Sequence, residues 1–189
     1  ALAGQSDLPL EQLSASDVAE RADCVFGCLP HAASAEVIAK LMKGDLRIVD
    51  FSADYRLTDV KAYEQWYGVK HPDSGRLGEV PYGLPELFRQ QIQGAELVAN
   101  PGCYPTSAIL ALAPLLKAGV VETDGIVIDS KSGVSGAGRI PKPNLHFPEC
   151  NESLAAYGVG SHRHMPEIDQ VLSDVAGQSM EVLFTPHLV

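Results

Sequence analysis

One thiol and two imidazoles are the residues of this chain best placed to do chemistry. Cys103 stands in "VANPGCYPTSAILALAPLLKAG", flanked by Pro101 and Gly102 on one side and Pro105 on the other, just ahead of an apolar run. Pro101 and Gly102 argue against regular structure before the thiol. Pro105, Thr106 and Ser107 suit the first turn of a helix that runs through Lys117 and stops at Gly119. A thiol at a helix N-terminus meets unpaired backbone N–H groups and the positive end of the helix dipole, both of which favour the nucleophilic thiolate. The same amides could hold an oxyanion on a carbonyl under attack. Pro114 removes one backbone bond from this helix and is expected to kink it. A lone cysteine in a tight turn serves packing equally well, so the nucleophile reading requires a base.

The base is sought in "GSHRHMPEI", residues 160–168. In an extended segment His162 and His164 face one way and Arg163 the other, while Pro166 and Glu167 can open the next helix. Imidazole is the side chain whose ordinary pKa suits proton transfer near neutral pH. One of the two histidines is expected to be catalytic and the other structural, and spacing does not choose between them. "KSGVSGAGR", residues 131–139, offers small residues whose amides could form an anion-binding concavity, with Lys131 and Arg139 adding charge. Arg139 and Arg163 are candidates for gripping a phosphate or carboxylate. No metal centre is expected, because His162 and His164 would need a third ligand at suitable spacing, and Cys150 and His146 offer only a weak pattern for it.

These residues need a scaffold, and the chain supplies an α/β pattern. "DCVFGCLP" is a short apolar run, "HAASAEVIAKLMKG" has helical spacing at Ala35, Ile38, Ala39 and Met42 with a stop at Gly44, and "LRIVDFS" reads as a buried strand. Strand, helix and strand in this order predict a βαβ unit with parallel strands, whose carboxyl ends are where ligands bind. Asp54 to Phe88 reads as a long functional or covering excursion with short helices at most. "AELVAN", "GIVIDSKSG" and "MEVLFTPHLV" give three further strands. The even spacing of Cys24 and Cys28 places both on one strand face as small core residues, and Cys150 is read the same way.

Composition narrows the function classes. The chain has 189 residues, 46% of them apolar, enough for one sizeable core or two small ones. Its formal charge of −10 argues against nucleic acid or an anionic membrane as the main partner. No run of about 18 apolar residues suggests a membrane span, and no secretory pattern opens the chain, so a cytoplasmic location with reduced thiols is expected. The opening "ALAGQSDLPLEQL" has no initiator methionine and no glycine-rich strand-to-helix turn, and the last strand pattern stops at Val189; the chain reads as an excerpt.

Together "NPGCYPT", "SGVSGAGR", "YGVGSHRHMPEI" and "FTPHLV", with "VDFSADYRL" and "VPYGLPELF", resemble the N-acetyl-γ-glutamyl-phosphate reductase family over almost the whole chain. The resemblance implies the second half of a Rossmann-like dinucleotide-binding domain, residues 1–99, followed by the start of an α+β catalytic and dimerisation domain, residues 100–189. It implies NADPH-dependent reductive dephosphorylation of an acyl phosphate in a homo-oligomer, a dimer or tetramer. Cys103 would be the nucleophile and His162 or His164 the proton carrier. Leu29, Pro30, His31 and Ala32 would form a cofactor loop, and Ser132, Gly133, Ser135 and Gly136 part of the wall around cofactor and substrate. Asn100 and Gly102 would position the thiol. Family members carry a glycine-rich loop before this region and continue beyond "HLV". Aspartate-semialdehyde dehydrogenase and the lysine-pathway aminoadipyl-phosphate reductase are the neighbouring enzyme readings, and a noncatalytic α/β binding module is the reading from another class.

Overall fold

The computed structural model describes residues 8–42 and 45–189, so the helix stop expected at Gly44 lies outside the described residues. The first unit is a parallel sheet in the order β1-β2-β3, formed by β1 (Cys24–Gly27), β2 (Arg47–Asp50) and β3 (Leu97–Ala99). Helix α1 (Ala15–Arg21) precedes it, and α2 (Ala33–Leu41) crosses from β1 to β2. On α2, Ala35, Ile38 and Leu41 recur every third residue and are buried with Ile48, Leu97 and Ala99, as the stripe of an amphipathic helix requires.

The outer strand corrects one expectation. Cys24 and Cys28 share a strand face with Phe26, but that face points to solvent; both thiols are exposed and Phe26 is 65% exposed. β1 pairs only with β2 among the described strands, and α2 covers the other face, where Val25 packs. Cys150, in the short helix α6 (Phe147–Cys150), is half-buried rather than a core residue.

The excursion after β2 holds α3 (Val60–Tyr67) and leads into α4 (Pro85–Ile92). It begins in the first core with Tyr55 and ends in the second with Leu84. A stretch that lacks periodicity thus ties two cores together. Helix α5 (Cys103–Lys117) follows β3 directly and continues through Pro114 as one helix. It packs on α7 (Met165–Ala176) through Ile109, Ala113 and Leu116 against Ile168, Val171 and Leu172. The second sheet has the order β4-β6-β5: β4 (Val127–Ser132) is parallel to β6 (Leu183–Leu188), and β5 (Ala155–Ala156) is antiparallel to it. Phe184 turns into the core while Val127 and Leu183 stay about two-thirds exposed, so one face of this sheet is uncovered.

Candidate active site

The turn between β3 and α5 presents the thiol. Cys103 is the first residue of α5 and is exposed, and Gly102 precedes it in extended backbone. The Gly102 carbonyl accepts from the Thr106 N–H at 2.9 Å and the Thr106 hydroxyl at 2.8 Å, which closes the first helical turn. The first-turn amides of Cys103 and Tyr104 have no acceptor within the helix, which leaves donors beside the sulfur. Glycine at 102 is a steric requirement: a Cβ there would lie 2.5 Å from His164 Nε2. The imidazole is therefore built against the residue that precedes the thiol.

His162 and His164 are neighbours, with ring centroids 4.8 Å apart. The segment is a turn rather than the expected extended strand, because the Met165 N–H bonds back to the His162 carbonyl at 3.0 Å and His164 is helical. The turn still sets both rings against Tyr104 and directs Arg163 outward, 5.5 Å above the Tyr67 ring. Burial, reinforced by the charges of His162, Arg56 and His31, pushes the His164 imidazole down to about 3. Its Nδ1 is buried without a partner. His162 is also lowered, by burial first and Arg163 second. Its Nδ1 accepts the His164 N–H at 3.2 Å, so the neutral ring carries its proton on Nε2. Tyr157 closes this side, its hydroxyl 2.8 Å from that of Tyr104.

The expected cofactor loop lies at the carboxyl end of β1. Leu29, Pro30 and His31 are exposed, and Ala32 adopts a left-handed backbone, φ 68°. Asp54 holds that strained residue: its buried carboxylate accepts the N–H groups of Ala32 at 2.8 Å and Ala35 at 2.9 Å, and the Tyr63 hydroxyl at 2.8 Å. His31 Nδ1 accepts the Ala53 N–H at 3.1 Å, which turns the ring toward Tyr67.

Two adjoining cavities open here. One, of about 510 Å3, is lined by His31, Tyr67, Arg163, His162 and His164, with Arg56 and Lys142. Its lining contains three strong cations and no carboxylate, in a chain whose net charge is −10. The other, of about 490 Å3, is lined by Ser132, Gly136, Cys150 and Tyr157 and shares His162 and Lys142 with the first. Arg163, both histidines, His31, Ser132 and Gly136 are thus brought together. Gly133 and Ser135 stand in the exposed turn after β4, next to but not within the lining, and Arg139 lines neither cavity. Asn100 points its carbonyl to Arg56 at 2.7 Å. Among the described residues no group of three potential metal ligands occurs; His146 and Cys150 flank α6, joined only by a backbone bond.

Sequence reasoning missed Arg56, Glu167, Asp54, Tyr157 and Lys142. Glu167 was read as a first-turn residue of α7, the ordinary exposed use of an acid there; it is instead 1% exposed and bonded to Gly102, Tyr82 and Arg56. The signal for Arg56 was a lone cation inside the dense run "DFSADYRL".

Comparison with known proteins identifies the family. Residues 1–95 match the semialdehyde dehydrogenase NAD binding domain, and residues 103–189 match the semialdehyde dehydrogenase dimerisation domain. The chain belongs to the semialdehyde dehydrogenase family. Its Rossmann-like parallel sheet is thus part of a pyridine-nucleotide-binding domain. The chain is 56% identical over 187 residues to an N-acetyl-gamma-glutamyl-phosphate reductase of Rhodopirellula baltica, covering 99% of this chain and 54% of that protein. It is 48% identical over 188 residues to the enzyme of the same name from Moorella thermoacetica, again 54% of that protein. The chain therefore spans about half the length of the curated relatives it matches. Among solved structures, aspartate semialdehyde dehydrogenase II from Vibrio cholerae aligns with a TM-score of 0.60 at 14% identity, covering 90% of this chain and 52% of that one, a likeness of fold. Among the described residues, no helix is long and apolar enough to cross a membrane.

Proposed function

We propose that the protein containing this chain is an NADP(H)-dependent N-acetyl-γ-glutamyl-phosphate reductase, which converts the acyl phosphate to N-acetylglutamate 5-semialdehyde and releases phosphate. The observation that carries the reading is the exposed Cys103 at the start of α5, with His164 built against the preceding Gly102 and His162 beside His164. The names of the relatives supply the substrate, and the resemblance supplies NADP over NAD.

The Cys103 thiolate attacks the acyl carbonyl, the bond to the phosphate oxygen breaks, and phosphate leaves with its electron pair, forming a thioester. Lys142 and Arg163, on the cationic cavity, balance the charge of the leaving group. A bound nicotinamide supplies the hydride that reduces the thioester carbonyl. The fit for that group is the open carboxyl end of the parallel sheet, where His31 faces the cavity that also holds the imidazoles. Asp54 already occupies the Ala32 and Ala35 amides at the start of α2, so His31 and the loop before it, rather than these amides, would contact the cofactor. We assign the proton role to His162. It lines both cavities and its proton sits on Nε2, where it can steady the oxygen that gains charge before the C–S bond breaks. His164 is the neutral ring that fixes the turn.

We also propose a division near residue 100 into the two expected domains, a homo-oligomer, a dimer or tetramer, that uses the uncovered face of the second sheet, and a cytoplasmic location without nucleic-acid partners. The test is phosphate-dependent NADP reduction with N-acetylglutamate 5-semialdehyde by the full-length protein. Cys103→Ser should lower kcat on the order of 10^4-fold or more, and His162→Asn about 10^2- to 10^4-fold. Activity retained in Cys103→Ser overturns the mechanism, and equal, slow alkylation of all four cysteines supports the noncatalytic module.

A further inference from the structure

We propose that the buried Arg56–Glu167 pair is the positioning device for the thiol, pinning both sides of the Asn100–Gly102 turn and coupling the nucleotide-binding unit to the helix that His164 precedes. The inference rests on the reading of Cys103 as nucleophile. Arg56 is 7% exposed and Glu167 1%, with Nη1 and Oε2 3.4 Å apart. Arg56 Nε donates to the Asn100 carbonyl at 2.7 Å and Nη2 to the Phe51 carbonyl at 2.9 Å. Glu167 Oε1 accepts the Gly102 N–H at 2.8 Å and the Tyr82 hydroxyl at 2.7 Å. One ion pair therefore fixes the backbone on the β3 side of Pro101 and on the Cys103 side.

The pair also belongs to two different units. Arg56 stands in the turn that follows β2, within the part matched by the NAD binding domain, whereas Glu167 stands in the first turn of α7, within the dimerisation domain. Gln170, one turn further along α7, repeats the link: its amide donates to the Arg56 carbonyl at 3.0 Å, and its oxygen accepts the Thr58 N–H at 2.8 Å. His164 precedes Glu167 on the same helix start and rests its ring against Gly102. Thiol turn, imidazole and nucleotide half thus meet at Glu167.

Stability alone is a poor reason for such a pair. Withdrawing two charges from water costs several kcal/mol per ion, and well-packed apolar residues of the same volume generally serve a core as well or better. Apolar side chains could not accept the Gly102 N–H or donate to the Asn100 carbonyl, and those two bonds locate Cys103. Glu167 lines none of the cavities described and so acts through the turn, without touching a ligand.

The test uses the full-length enzyme. Glu167→Gln keeps the shape and one acceptor oxygen but turns an amide N–H2 toward the Arg56 donors. It should lower kcat about 10^2-fold, the scale of a small misplacement of a reacting group, with KM for the acyl phosphate little changed. Alkylation of Cys103 by iodoacetamide, read by mass spectrometry of the Cys103 peptide, should slow in parallel. Arg56→Lys should likewise lower kcat and slow alkylation, because a single ammonium cannot replace the three-way guanidinium fork, while it keeps the positive charge that Arg56 presents to the cationic cavity. Ser173→Ala is the control for stability: it removes two bonds to Met180 elsewhere on α7 and should lower Tm while leaving kcat and alkylation at wild-type values. Wild-type kcat and alkylation in a destabilised Glu167→Gln enzyme overturn the proposal. If that variant does not fold, kcat and alkylation in Arg56→Lys that only follow Tm, as in Ser173→Ala, overturn it equally. Alkylation needs no turnover, so an enzyme that alkylates selectively at Cys103 but does not use the acyl phosphate would sink the assigned reaction and leave the positioning claim to be judged.

Discussion

The two sides of Cys103 are built differently. Behind it, the Asn100–Gly102 turn, His164, Glu167 and Arg56 form a buried block in which the turn is held by named bonds and a close contact with an imidazole ring. In front, residues 132–160 are mostly exposed: Leu154 is 61% and Val159 62% exposed, and the turn from Gly133 to Gly138 makes few side-chain bonds. The difference separates two tasks. A covalent nucleophile tolerates little displacement, whereas the wall that receives substrate must admit it. The placing of charge follows the same division: behind the thiol the cation is paired with a carboxylate, while Lys142 in front forms no ion pair among the described residues.

The sharpest way to break this comparison is to add one methyl group on each side. Gly102→Ala is compatible with its backbone, yet the new Cβ would sit 2.5 Å from His164 Nε2, so ring or turn must shift. We expect a loss of about 1–3 kcal/mol by overpacking and a fall in kcat of about 10^2-fold through misplacement of the thiol. Gly133→Ala meets no atom within 4 Å and should leave Tm unchanged. Thermal melts and kcat for the pair decide the matter, and equal Tm for both variants removes the contrast.

A smaller effect is expected in front. Lys142 lines both cavities and Arg139 neither. Lys142→Met should raise KM for the acyl phosphate about tenfold, the equivalent of about 1.4 kcal/mol of lost charged contact, with a lesser change in kcat. Arg139→Met should leave KM where it was. A rise in KM with Arg139→Met alone would show that the wall closes differently around substrate.

Much of this was legible in the residues. The βαβ unit followed from the spacing of Ala35 and Ile38 between two apolar runs, and the thiol at a helix start followed from Pro101, Gly102 and Pro105. The pairing of His162 with His164 was also readable, although a turn brings the rings together where a strand was expected. What stayed hidden depends on contacts distant in sequence. Arg56 and Glu167 lie 111 positions apart, and no local pattern distinguishes an acid that caps its own helix from one that turns inward to hold another. The exposure of Cys24 and Cys28 was hidden for a related reason, since period-two spacing shows that two residues share a face but not whether anything covers it.

The most gradual effect concerns the pH dependence of the buried block. His164 titrates near 6.5 when unfolded, but burial and neighbouring cations lower it to about 3 in the folded chain. Between those values the unfolded state binds a proton that the folded state refuses. This contribution to stability is present above about pH 6.5 and is lost as pH falls toward 3, with a slope of at most about 1.4 kcal/mol per pH unit. His162, also lowered, acts in the same direction. Two carboxyls act in the opposite direction. Burial raises Asp169 to about 6, and it also raises Glu167, against the pull of Arg56, so each favours the folded state as pH falls through its raised value. The wild-type curve mixes these signs, and the difference from His164→Asn isolates the imidazole. Denaturant midpoints taken from about pH 7 to about pH 4 should show the variant gaining on the wild type as acid is added. A constant difference across that range would mean that His164 is open to protons, and the contrast between a closed rear and an open front would fail at the residue that touches Gly102.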